Sequence, residues 1–572
     1  MHLIGHSISR TRIAQKARKA VSGEAMHIMI PPPSKPDGSN IGHSAQRVRY
    51  IEKQVLKSLF LSAKVWCHKA IYNRSKIVAL PVFFVPIIAV AARFEAGFSR
   101  VDITPPLGTP IAGYFGYRPA EKILDPLEAT CLAFSDGMTT ALVYTVDNVH
   151  VSDEVIARSW KAISHSTGVA HDRVFIASTH THTGAATEKR YYLRGLSGEA
   201  EADAMHLIGV ANDLLVTRLA DAGRLACEDL APSSISLARG TCSGISFVRI
   251  FRMKDGHTQT NPGVNNPNIV EPFGQPDEML QLVRLSRDGR PEIAIINFQT
   301  HPDVIGGRNI SADWPGFARR FIEKTMDGRV RCAFFNGAQG DTNHINIHPV
   351  PGLETNQGYA HSRKMGLKVA AAALAIWYDC ISVPAGKVSG CIRTVRVAAN
   401  VPDRNALPLA HRYMEAHEAG RRGEIPFTGM EYTTVVAEAM RMVRLEDGPS
   451  QFEMPVSAVS IGKSVVFAGF PGEPFTRLGC EVKERSPFVM TIPCCLVNGN
   501  FGYIPTAEVF ALGGYESRSS MFKSGVGEIL CNALTETLRD MHLADTQRQC
   551  NEPIDLENEK GKKHDNYSPR WK

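Results

Sequence analysis

The sequence of 572 residues lacks the short motifs that mark several common kinds of chemistry. It contains no P-loop and no Gly-x-Gly-x-x-Gly run, so nothing supports nucleotide chemistry. No Gly-x-Ser-x-Gly turn occurs, which weakens the case for a serine hydrolase. The 12 cysteines are scattered without a Cys-x-x-Cys pair, a distribution that is typical neither of a disulfide framework nor of a zinc ribbon.

The chain has no net positive charge outside its N-terminal part. Residues 1–92 hold 14 of the 64 Lys and Arg residues but only 3 of the 57 Asp and Glu residues. The formal net charge of +7 therefore belongs to this extension, and the rest of the chain is mildly acidic. Domains that bind nucleic acid carry a basic patch or stripe, so we expect no nucleic-acid partner.

Long apolar runs are also few. The run at residues 77–92 is 16 residues long, short of the about 20 that a membrane-spanning helix needs. Basic residues precede it and Ala89-Val90-Ala91 closes it, as in a secretory signal peptide. We expect the natural start to lie downstream of Met1 and export to remove everything before about Ala92, which makes the protein secreted or periplasmic. The alternatives are a membrane anchor, or a buried or interfacial helix of a cytoplasmic protein.

The overall composition is that of a globular protein, with 44% hydrophobic and 21% charged residues. Beyond the extension at 1–93, we predict one large catalytic domain at 94–543 and a disordered polar tail at 544–572. Predicted strands alternate with long helices, which is typical of an α/β domain with a mixed sheet flanked by helices. Strands are expected at 96–103, 140–146, 174–177, 291–298, 330–335 and 463–470, and helices at 152–166, 200–225, 314–326, 358–378, 404–420, 430–444 and 525–541.

His180 and His182 stand in Thr179-His180-Thr181-His182-Thr183-Gly184, close behind the apolar strand at 174–177. Side chains at i and i+2 of a strand point to the same face. Both imidazoles are therefore expected to face one cavity at the strand's C-terminal end, where open α/β sheets bind ligands. Both could bind a metal ion, or one could bind the metal while the other positions a substrate. Taken alone, the pair is equally typical of hydrogen-bonded loop histidines.

His301, Asp341 and Glu473 each come shortly after another of the predicted strands. Asp341 could instead be a turn residue, and Glu473 could be the anion that caps a helix. Together with His180 and His182, these strand ends place three histidines and a glutamate on one rim of the sheet. Zinc catalysis needs three or four N or O ligands and an open position for water. The sequence therefore predicts a metal site at the C-terminal ends of the strands.

Several separated stretches have the sequence and the order of motifs in one known family. They are Gly97-Phe98-Ser99-Arg100-Val101-Asp102-Ile103-Thr104-Pro105, Thr179-His180-Thr181-His182-Thr183-Gly184, His301-Pro302, Gly340-Asp341, Phe470-Pro471-Gly472-Glu473, Gly502-Tyr503-Ile504-Pro505-Thr506-Ala507-Glu508 and Tyr515-Glu516. From about Ala96 to about Leu543 the chain resembles the neutral/alkaline (non-lysosomal) ceramidases, which are zinc-dependent amidases that split the N-acyl bond of ceramide.

The resemblance implies a zinc-dependent hydrolase that cleaves an N-acyl amide bond in a ceramide-like substrate, with peripheral contact to a membrane. It also implies a single zinc ion per chain. The ligands carried over from the family are His180, His301, Glu473 and Tyr503. Sequence reasoning alone would not have chosen Tyr503, because tyrosine is an uncommon zinc ligand.

The resemblance also implies groups that act on the substrate. His182 would face the substrate rather than the metal, and it would serve as general acid and base. Tyr515 and Arg249 would hydrogen-bond the reacting amide. Asp341 would either orient a ligating histidine or hold its own loop in shape.

The chain departs from the family at Gly340-Asp341-Thr342-Asn343-His344-Ile345, where ceramidases carry Gly-Asp-Val-Ser-Pro-Asn. Asn343 takes the place of a serine once proposed as the nucleophile, which removes a covalent serine mechanism and leaves a zinc–water mechanism intact. The family's Asn-Arg-Ser-Pro becomes Val248-Arg249-Ile250-Phe251. We also expect the chain to lack the family's C-terminal immunoglobulin-like module, because the resemblance ends near Leu543.

Two other functions stay open at this point. One is a zinc amidase or esterase on a non-sphingolipid substrate, favoured by the altered loops and the missing module. The other is a non-catalytic zinc-binding or sensing homologue. A TIM-barrel amidohydrolase also carries His-x-His on its first strand, but here about eighty residues of the body precede the motif, which disfavours that fold.

Overall fold

A computed structural model describes residues 93–189, 192–193, 195–349 and 356–544. All of them belong to one compact unit, Ala89–Lys572. The predictions for the signal-like segment at 77–92, for the rest of the extension and for the polar tail lie outside the described residues, apart from the single positions 93 and 544. Among the residues that are described, no helix combines the length and the apolar character needed to cross a membrane.

The described strands range from two to eleven residues in length. In chain order they are β1 Glu95–Asp102, β2 Lys122–Ile123, β3 Glu128–Ser135, β4 Thr140–Val146, β5 Val174–Ser178, β6 Ala231–Thr241, β7 Phe247–Val248, β8 Ile250–Met253, β9 Thr258–Thr260, β10 Ile269–Pro272, β11 Met279–Arg287, β12 Glu292–Phe298, β13 Asn309–Ile310, β14 Val330–Asn336, β15 Thr342–Asn343, β16 Ile381–Val383, β17 Val388–Ala398, β18 Gln451–Ile461, β19 Val465–Gly469, β20 Glu473–Pro474, β21 Met490–Cys494 and β22 Tyr503–Ile504.

The described α-helices include every helix that the sequence predicts, with ends shifted by a few residues. In chain order they are α1 Asp153–Thr167, α2 Gly198–Glu228, α3 Asp313–Thr325, α4 Tyr359–Ala375, α5 Leu407–Glu418, α6 Gly429–Leu445, α7 Thr476–Arg485, α8 Ala507–Leu512, α9 Tyr515–Ser519 and α10 Val526–Leu543.

A large mixed sheet forms the centre of the described part of the chain. Its nine strands there run in the order β14-β12-β11-β6-β1-β3-β4-β5, with β16 paired to β6. Most neighbours are antiparallel, but β4 with β5 and β12 with β14 are parallel. The predicted α/β class with a mixed sheet flanked by helices is therefore confirmed.

A second sheet, which the sequence did not predict, packs on the inner face of the first. Its order is β17-β18-β19-β21, and β19 runs parallel to β21. The ring of Phe467 in β19 lies 5.2 to 6.0 Å from the rings of Phe134, Phe175 and Phe335 in the large sheet. Burying each such side chain contributes about 1.5–3 kcal/mol, so this apolar layer holds the two sheets face to face.

Helices cover the outer faces of both sheets. Helices α1 and α2 pack on the β3–β5 half of the large sheet, through buried residues such as Ile163 and Leu219. Helices α3 and α4 cover the other half, where Trp314 lies fully buried. Helices α7 and α10 cover the second sheet. The result is a stack of helices, two sheets and helices, with its main core between the sheets.

The large sheet curls, so that strands near its two ends meet. Thr145 Oγ1 of β4 donates a hydrogen bond to the main-chain oxygen of Phe334 in β14, at 2.6 Å. Asn336 Nδ2, at the end of β14, donates to the main-chain oxygen of Thr179 beyond β5, at 3.0 Å. The loop after β21 joins them, because the main-chain N–H of Cys495 donates to the oxygen of Asn336. The C-terminal ends of β5, β12, β14 and β21 therefore lie together.

Candidate metal centre

His180 is held by the main chain of the loop that follows β4. It has a left-handed φ of 72°, a conformation that few non-glycine residues adopt and that is concentrated at functional sites. Its main-chain N–H donates to the oxygen of Asn148 at 2.9 Å, and its Nδ1 lies 2.7 Å from the oxygen of Val149. A neutral imidazole that donates from Nδ1 presents the lone pair of Nε2. Nε2 is therefore the atom that His180 offers to the site.

The two histidines of the His-x-His motif converge through this turn and not through strand alternation. Strand β5 ends at Ser178, so His180 and His182 both lie beyond it. Their ring centres are 4.8 Å apart and their planes are at 90°. Both imidazoles face one place, as expected, but main-chain hydrogen bonds bring them there: His180 is bonded to the loop after β4, and the main-chain N–H of His182 donates to the oxygen of Pro302 at 3.1 Å.

His301 is held in the same way, three residues beyond β12. Its Nδ1 lies 2.9 Å from the main-chain oxygens of both Gln339 and Thr342, so Nδ1 is the donor and Nε2 faces the site. Burial, followed by the nearby charge of Arg249, lowers the pKa of His301 to about 4, and the imidazole is neutral near pH 7. Histidines that bind metals almost always donate their second ring N–H to a carbonyl or carboxylate, and His180 and His301 both do.

Glu473 is the first residue of the short strand β20, four residues beyond the end of β19 in the second sheet. Its Oε2 lies 3.2 Å from Nε2 of His180 and 3.2 Å from Nε2 of His301. Burial alone would raise the pKa of this carboxyl, but the two imidazoles hold it well below its ordinary value. Glu473 is therefore a carboxylate that faces two ring nitrogens at close range.

Tyr503 lies beside Glu473 because the short strands β20 and β22 run parallel with these two residues in register. The loops approach closely at Gly472, where a Cβ would lie 2.3 Å from the main-chain oxygen of Gly502, so only glycine fits there. Burial raises the pKa of Tyr503 well above its ordinary value. The fold thus brings the predicted fourth ligand to the cluster, and its role as a ligand stays a prediction.

These side chains fit a metal ion. The ligand atoms of His180, His182 and His301 all lie within 4.8 Å of one another. Oε2 of Glu473 has no hydrogen-bond partner among the described residues, although it is buried next to two ring nitrogens. Buried acceptors that face one another are costly unless a cation or a proton lies between them. Imidazole and carboxylate ligands suit divalent metals such as zinc.

His182 belongs to the same cluster, but its surroundings differ from those of the other two histidines. Its Nε2 lies 3.2 Å from Nε2 of His180, and its Nδ1 has no hydrogen-bond partner among the described residues. The ring of Tyr114 packs against it, with the ring centres 5.2 Å apart. Burial lowers the pKa of His182 well below its ordinary value. Its predicted position facing the substrate stays a prediction, and its unanchored Nδ1 separates it from the two anchored histidines.

Arg249 and Tyr515 both lie at the edge of the cluster. Nη1 of Arg249 is 3.2 Å from Nε2 of His301, and the ring centre of Tyr515 is 5.5 Å from that of Tyr503. Arg249 stands between β7 and β8, and Tyr515 begins α9. The fold therefore brings together Arg249 and the histidines, even though the family's sequence around Arg249 is poorly kept.

Asp341 stabilises the loop after β14 and makes no described contact with a histidine side chain. Its Oδ1 accepts hydrogen bonds from the main-chain N–H and from Oγ1 of Thr476, both at 2.7 Å. Thr476 is the first residue of α7, so Asp341 caps that helix and fastens its own loop beside Glu473. Burial raises the pKa of Asp341 to about 6. These contacts are those of a loop-structuring carboxylate, and the part that Asp341 plays in the site stays a prediction.

Sequence reasoning missed a largely buried ion pair on the side of the cluster near His182. His344 Nδ1 lies 2.8 Å from Asp303 Oδ1, and the hydroxyl of Tyr114 donates to the main-chain oxygen of Asp303 at 3.4 Å. Asp303 follows the His301-Pro302 motif and His344 stands where the family has proline, so both positions were visible in the sequence. Their pairing depends on the fold and left no signal there.

The pair predicts a pH-dependent contribution of His344 to stability. Against the effect of burial, Asp303 raises the pKa of His344, and His344 lowers the pKa of Asp303. Stability from His344 is then complete below its unfolded pKa of about 6.5 and is lost as the pH rises through the higher folded pKa. Stability from Asp303 is present above about pH 4 and is lost as the pH falls through its lower folded pKa. We expect His344→Asn to cost about 3 kcal/mol at pH 6 and much less at pH 9.

Urea unfolding of the wild type and the variant at both pH values measures this difference. His165, which is exposed near the C-terminal end of α1, provides a matched His→Asn control with little expected effect at either pH. An equal loss for His344→Asn at pH 6 and pH 9 would show that the pair is not ionised in the folded chain.

The fold matches that of a neutral ceramidase from Pseudomonas aeruginosa with a TM-score of 0.59 and 15% sequence identity, over 81% of this chain and 77% of that chain. A ceramidase complexed with C2 matches with a TM-score of 0.58 and 16% identity, over 82% and 78% of the two chains. The chain has the neutral ceramidase fold. The sequence itself matched no family model and no curated protein in the comparisons made.

The resemblance to the neutral ceramidases that the motifs predicted is thus confirmed at the level of the fold. The ceramidase fold also excludes the rival TIM barrel, because a TIM barrel consists of eight parallel strands. Here the described strands form two large packed sheets and four smaller ones, and each of the two large sheets has both parallel and antiparallel neighbours. Within the ceramidase fold, the His-x-His motif lies beyond β5, at the curled end of the large sheet.

Proposed function

We propose that the chain is a zinc-dependent hydrolase that cleaves an N-acyl amide bond, with a ceramide-like lipid as substrate. The observation that carries this proposal is the approach of Glu473 Oε2 to Nε2 of His180 and of His301, at 3.2 Å in both cases. Both imidazoles are anchored through Nδ1, as metal ligands are. The ceramidase fold of the chain supports the amide as the scissile bond and ceramide as the substrate class.

His180, His301, Glu473 and Tyr503 would hold the zinc ion. Bound zinc would supply Lewis-acid chemistry, which activates water near neutral pH and polarises a carbonyl group. Two of the ligand positions come from the curled large sheet and two from the loops of the second sheet. The rigid contact between the sheets therefore sets the geometry of the site.

The other side chains of the site would act on the substrate. His182 is neutral near pH 7, so it can take a proton from the attacking water and pass it to the departing amine. Arg249 and Tyr515 lie at the edge of the cluster, where their N–H and O–H groups could donate to the oxygen of the amide as negative charge develops on it. The side chains of His182, Arg249 and Tyr515 are already buried or half-buried before substrate binds, so these side chains need little reorganisation.

Attack by water, and not by a side chain, fits the position of Asn343. Its Nδ2 donates to Oδ1 of Asn261 at 2.9 Å, and its Oδ1 accepts from the main-chain N–H of Ile345 at 3.0 Å. An amide held at both ends shapes the loop and is no nucleophile. The direct route through activated water is therefore the one that this chain can use.

A second candidate is the same chemistry on a more polar amide or ester. The observation that favours it is the buried Asp303–His344 pair near His182, at a position where the family carries proline. A carboxylate and an imidazole beside the site would suit a polar or cationic leaving group better than a long apolar chain. The two candidates share the metal centre and differ in the substrate.

An assay on a panel of substrates tests the proposal. The zinc-loaded chain is offered ceramides of short and long acyl chain in detergent micelles, water-soluble N-acyl amino acids and the matching esters, and release of free amine or alcohol is measured. Hydrolysis of ceramide in preference to the soluble amides is expected. Preference for soluble substrates would favour the second candidate. Zinc binding without hydrolysis of any substrate would make the chain a non-catalytic homologue. The matched control is His165→Ala, near the C-terminal end of α1, and this variant should hydrolyse the substrates like the wild type.

We also propose that the protein is secreted or periplasmic and meets lipid as a peripheral enzyme. The support is the signal-like segment at 77–92, which basic residues precede and which Ala89-Val90-Ala91 closes. N-terminal sequencing of the natural protein tests this. A first residue near Ala92 is expected, and a mature chain that still contains residues 77–92 would contradict it.

A further inference from the structure

Each of the three guanidinium nitrogens of Arg249 has a close partner. Nε lies 2.8 Å from Oε1 of Glu516, and Nη2 donates to the main-chain oxygen of Gly340 at 2.7 Å. These two anchors aim the remaining nitrogen, Nη1, at Nε2 of His301, 3.2 Å away. The full positive charge of Arg249 thus borders on the atom that His301 offers to a metal.

Glu516 is the anion that accompanies this charge. It is completely buried, and its second oxygen, Oε2, accepts a hydrogen bond from Oγ1 of Thr260 at 2.6 Å. Thr260 belongs to β9, whereas Glu516 lies in α9 directly after Tyr515. The side chain of Glu516 therefore links α9, which also carries Tyr515, to strand β9 and to Arg249 at the edge of the cluster.

A guanidinium at this position opposes the binding of a metal ion. Two positive charges a few ångströms apart in a buried site repel each other far more strongly than in water. The carboxylate of Glu473 faces the histidines, and its charge would be balanced by the metal itself. A second anion is needed to balance Arg249, and Glu516 is in contact with it.

We propose that Glu516 is a positioning residue of the metal centre: it neutralises and orients Arg249 so that a divalent metal can bind beside that guanidinium. The inference rests on the proposed function, because it takes the cluster to be a metal site. It assigns no contact between Glu516 and the substrate or the metal. Glu516 acts through Arg249 alone.

Zinc titration of the metal-stripped full chain against a chromophoric chelator tests the proposal without any substrate. Glu516→Gln keeps the shape of the side chain and removes its charge, and we expect zinc affinity to fall about 10- to 100-fold. The double variant Arg249→Met with Glu516→Gln removes both charges, and its affinity should return to within a few-fold of the wild type. Glu516→Asp keeps the charge and should retain most of the affinity.

Glu438→Gln is the matched control. Glu438 is also completely buried and it pairs with Arg518, with Oε2 2.7 Å from Nε. Because Arg518 lies on the same short helix as Glu516, this variant disturbs α9 and leaves Arg249 balanced. Its zinc affinity should stay near that of the wild type, even if its thermal stability falls.

Two results would overturn the inference. One is unchanged zinc affinity in Glu516→Gln, and the other is a double variant that binds zinc as weakly as Glu516→Gln alone, since that would assign Glu516 a structural role only. A chain that shows the expected affinity pattern and hydrolyses no amide would refute the proposed activity and leave this inference standing. A wild type that binds no zinc at the cluster would overturn both.

Discussion

Replacing His180 with alanine is expected to abolish zinc binding and turnover together. Its Nε2 is one of the two ring nitrogens that lie 3.2 Å from Glu473, and its Nδ1 is fixed on the oxygen of Val149. Without the His180 imidazole, the carboxylate of Glu473 would lie buried beside a single anchored imidazole, that of His301. Metal catalysis contributes several kcal/mol to the transition state, so we expect kcat/KM to fall by at least about 1,000-fold.

Replacing His182 with alanine is expected to separate zinc binding from turnover. His182 has no main-chain anchor for Nδ1 among the described residues, and it packs on Tyr114 instead. We expect the variant to retain stoichiometric zinc and to lose about 100- to 10,000-fold in kcat, the range that general acid–base catalysis contributes.

Metal analysis of both purified variants, together with turnover on the preferred substrate, measures the contrast. His165→Ala serves again as the control for removal of an exposed imidazole. If His180→Ala and His182→Ala lose zinc equally, the two histidines are both ligands and the assignment of separate roles is wrong.

Stripping the metal is expected to lower the thermal stability of the folded chain as well as its activity. The site draws on loops from both sheets, so a bound ion links elements that otherwise meet through the apolar layer around Phe467. A ligand that binds only the folded state stabilises it by about 4 kcal/mol at roughly 1,000 times its dissociation constant. The unfolding midpoint of the zinc-loaded chain should therefore exceed that of the stripped chain by several degrees.

Differential scanning calorimetry of the loaded, the stripped and the reloaded chain measures this shift. Zinc added back to the stripped chain should restore the midpoint, and magnesium should not, because imidazole ligands suit zinc better. The His180→Ala variant should show no shift on addition of zinc. A shift of equal size in that variant would place the stabilising ion outside the cluster.

The strands that carry the site could be predicted because they are buried on both faces. Strands β5, β12 and β14 are mostly apolar and buried, and each has a parallel neighbour, the pattern that parallel strands show when both faces are covered. The predicted ends of these strands indicated His180 and His301 as candidate site residues. The rule that ligands bind at the C-terminal ends of strands then sufficed to place these residues on one rim.

Several antiparallel strands were harder to predict, and of the four strands of the second sheet only β19 was predicted. Strand β6 contains proline, three serines and glycine, and its buried and exposed positions alternate irregularly. Strand β18 contains Pro455, and its partner β17 lies far away in the chain. Local sequence carries little information about such pairings, because the side chains of these strands pack against residues distant in the sequence.

The contacts inside the site depend on the curl of the large sheet. Nothing in the sequence around His180 or Asn336 indicates that strands near the two ends of one sheet meet there. Tyr503 entered through the family resemblance alone, and the fold brings it into register with Glu473. The partners of Arg249 and of His344 could not be foreseen, since ion pairs between distant segments exist only in the folded chain.

The most direct test of the account is an anomalous difference map, collected at the zinc absorption edge from crystals of the purified chain. We expect one strong peak between Nε2 of His180, Nε2 of His301 and the carboxylate of Glu473, at about 2.0–2.2 Å from each. A map with no peak at these three side chains, or with its zinc bound elsewhere on the chain, would contradict the account.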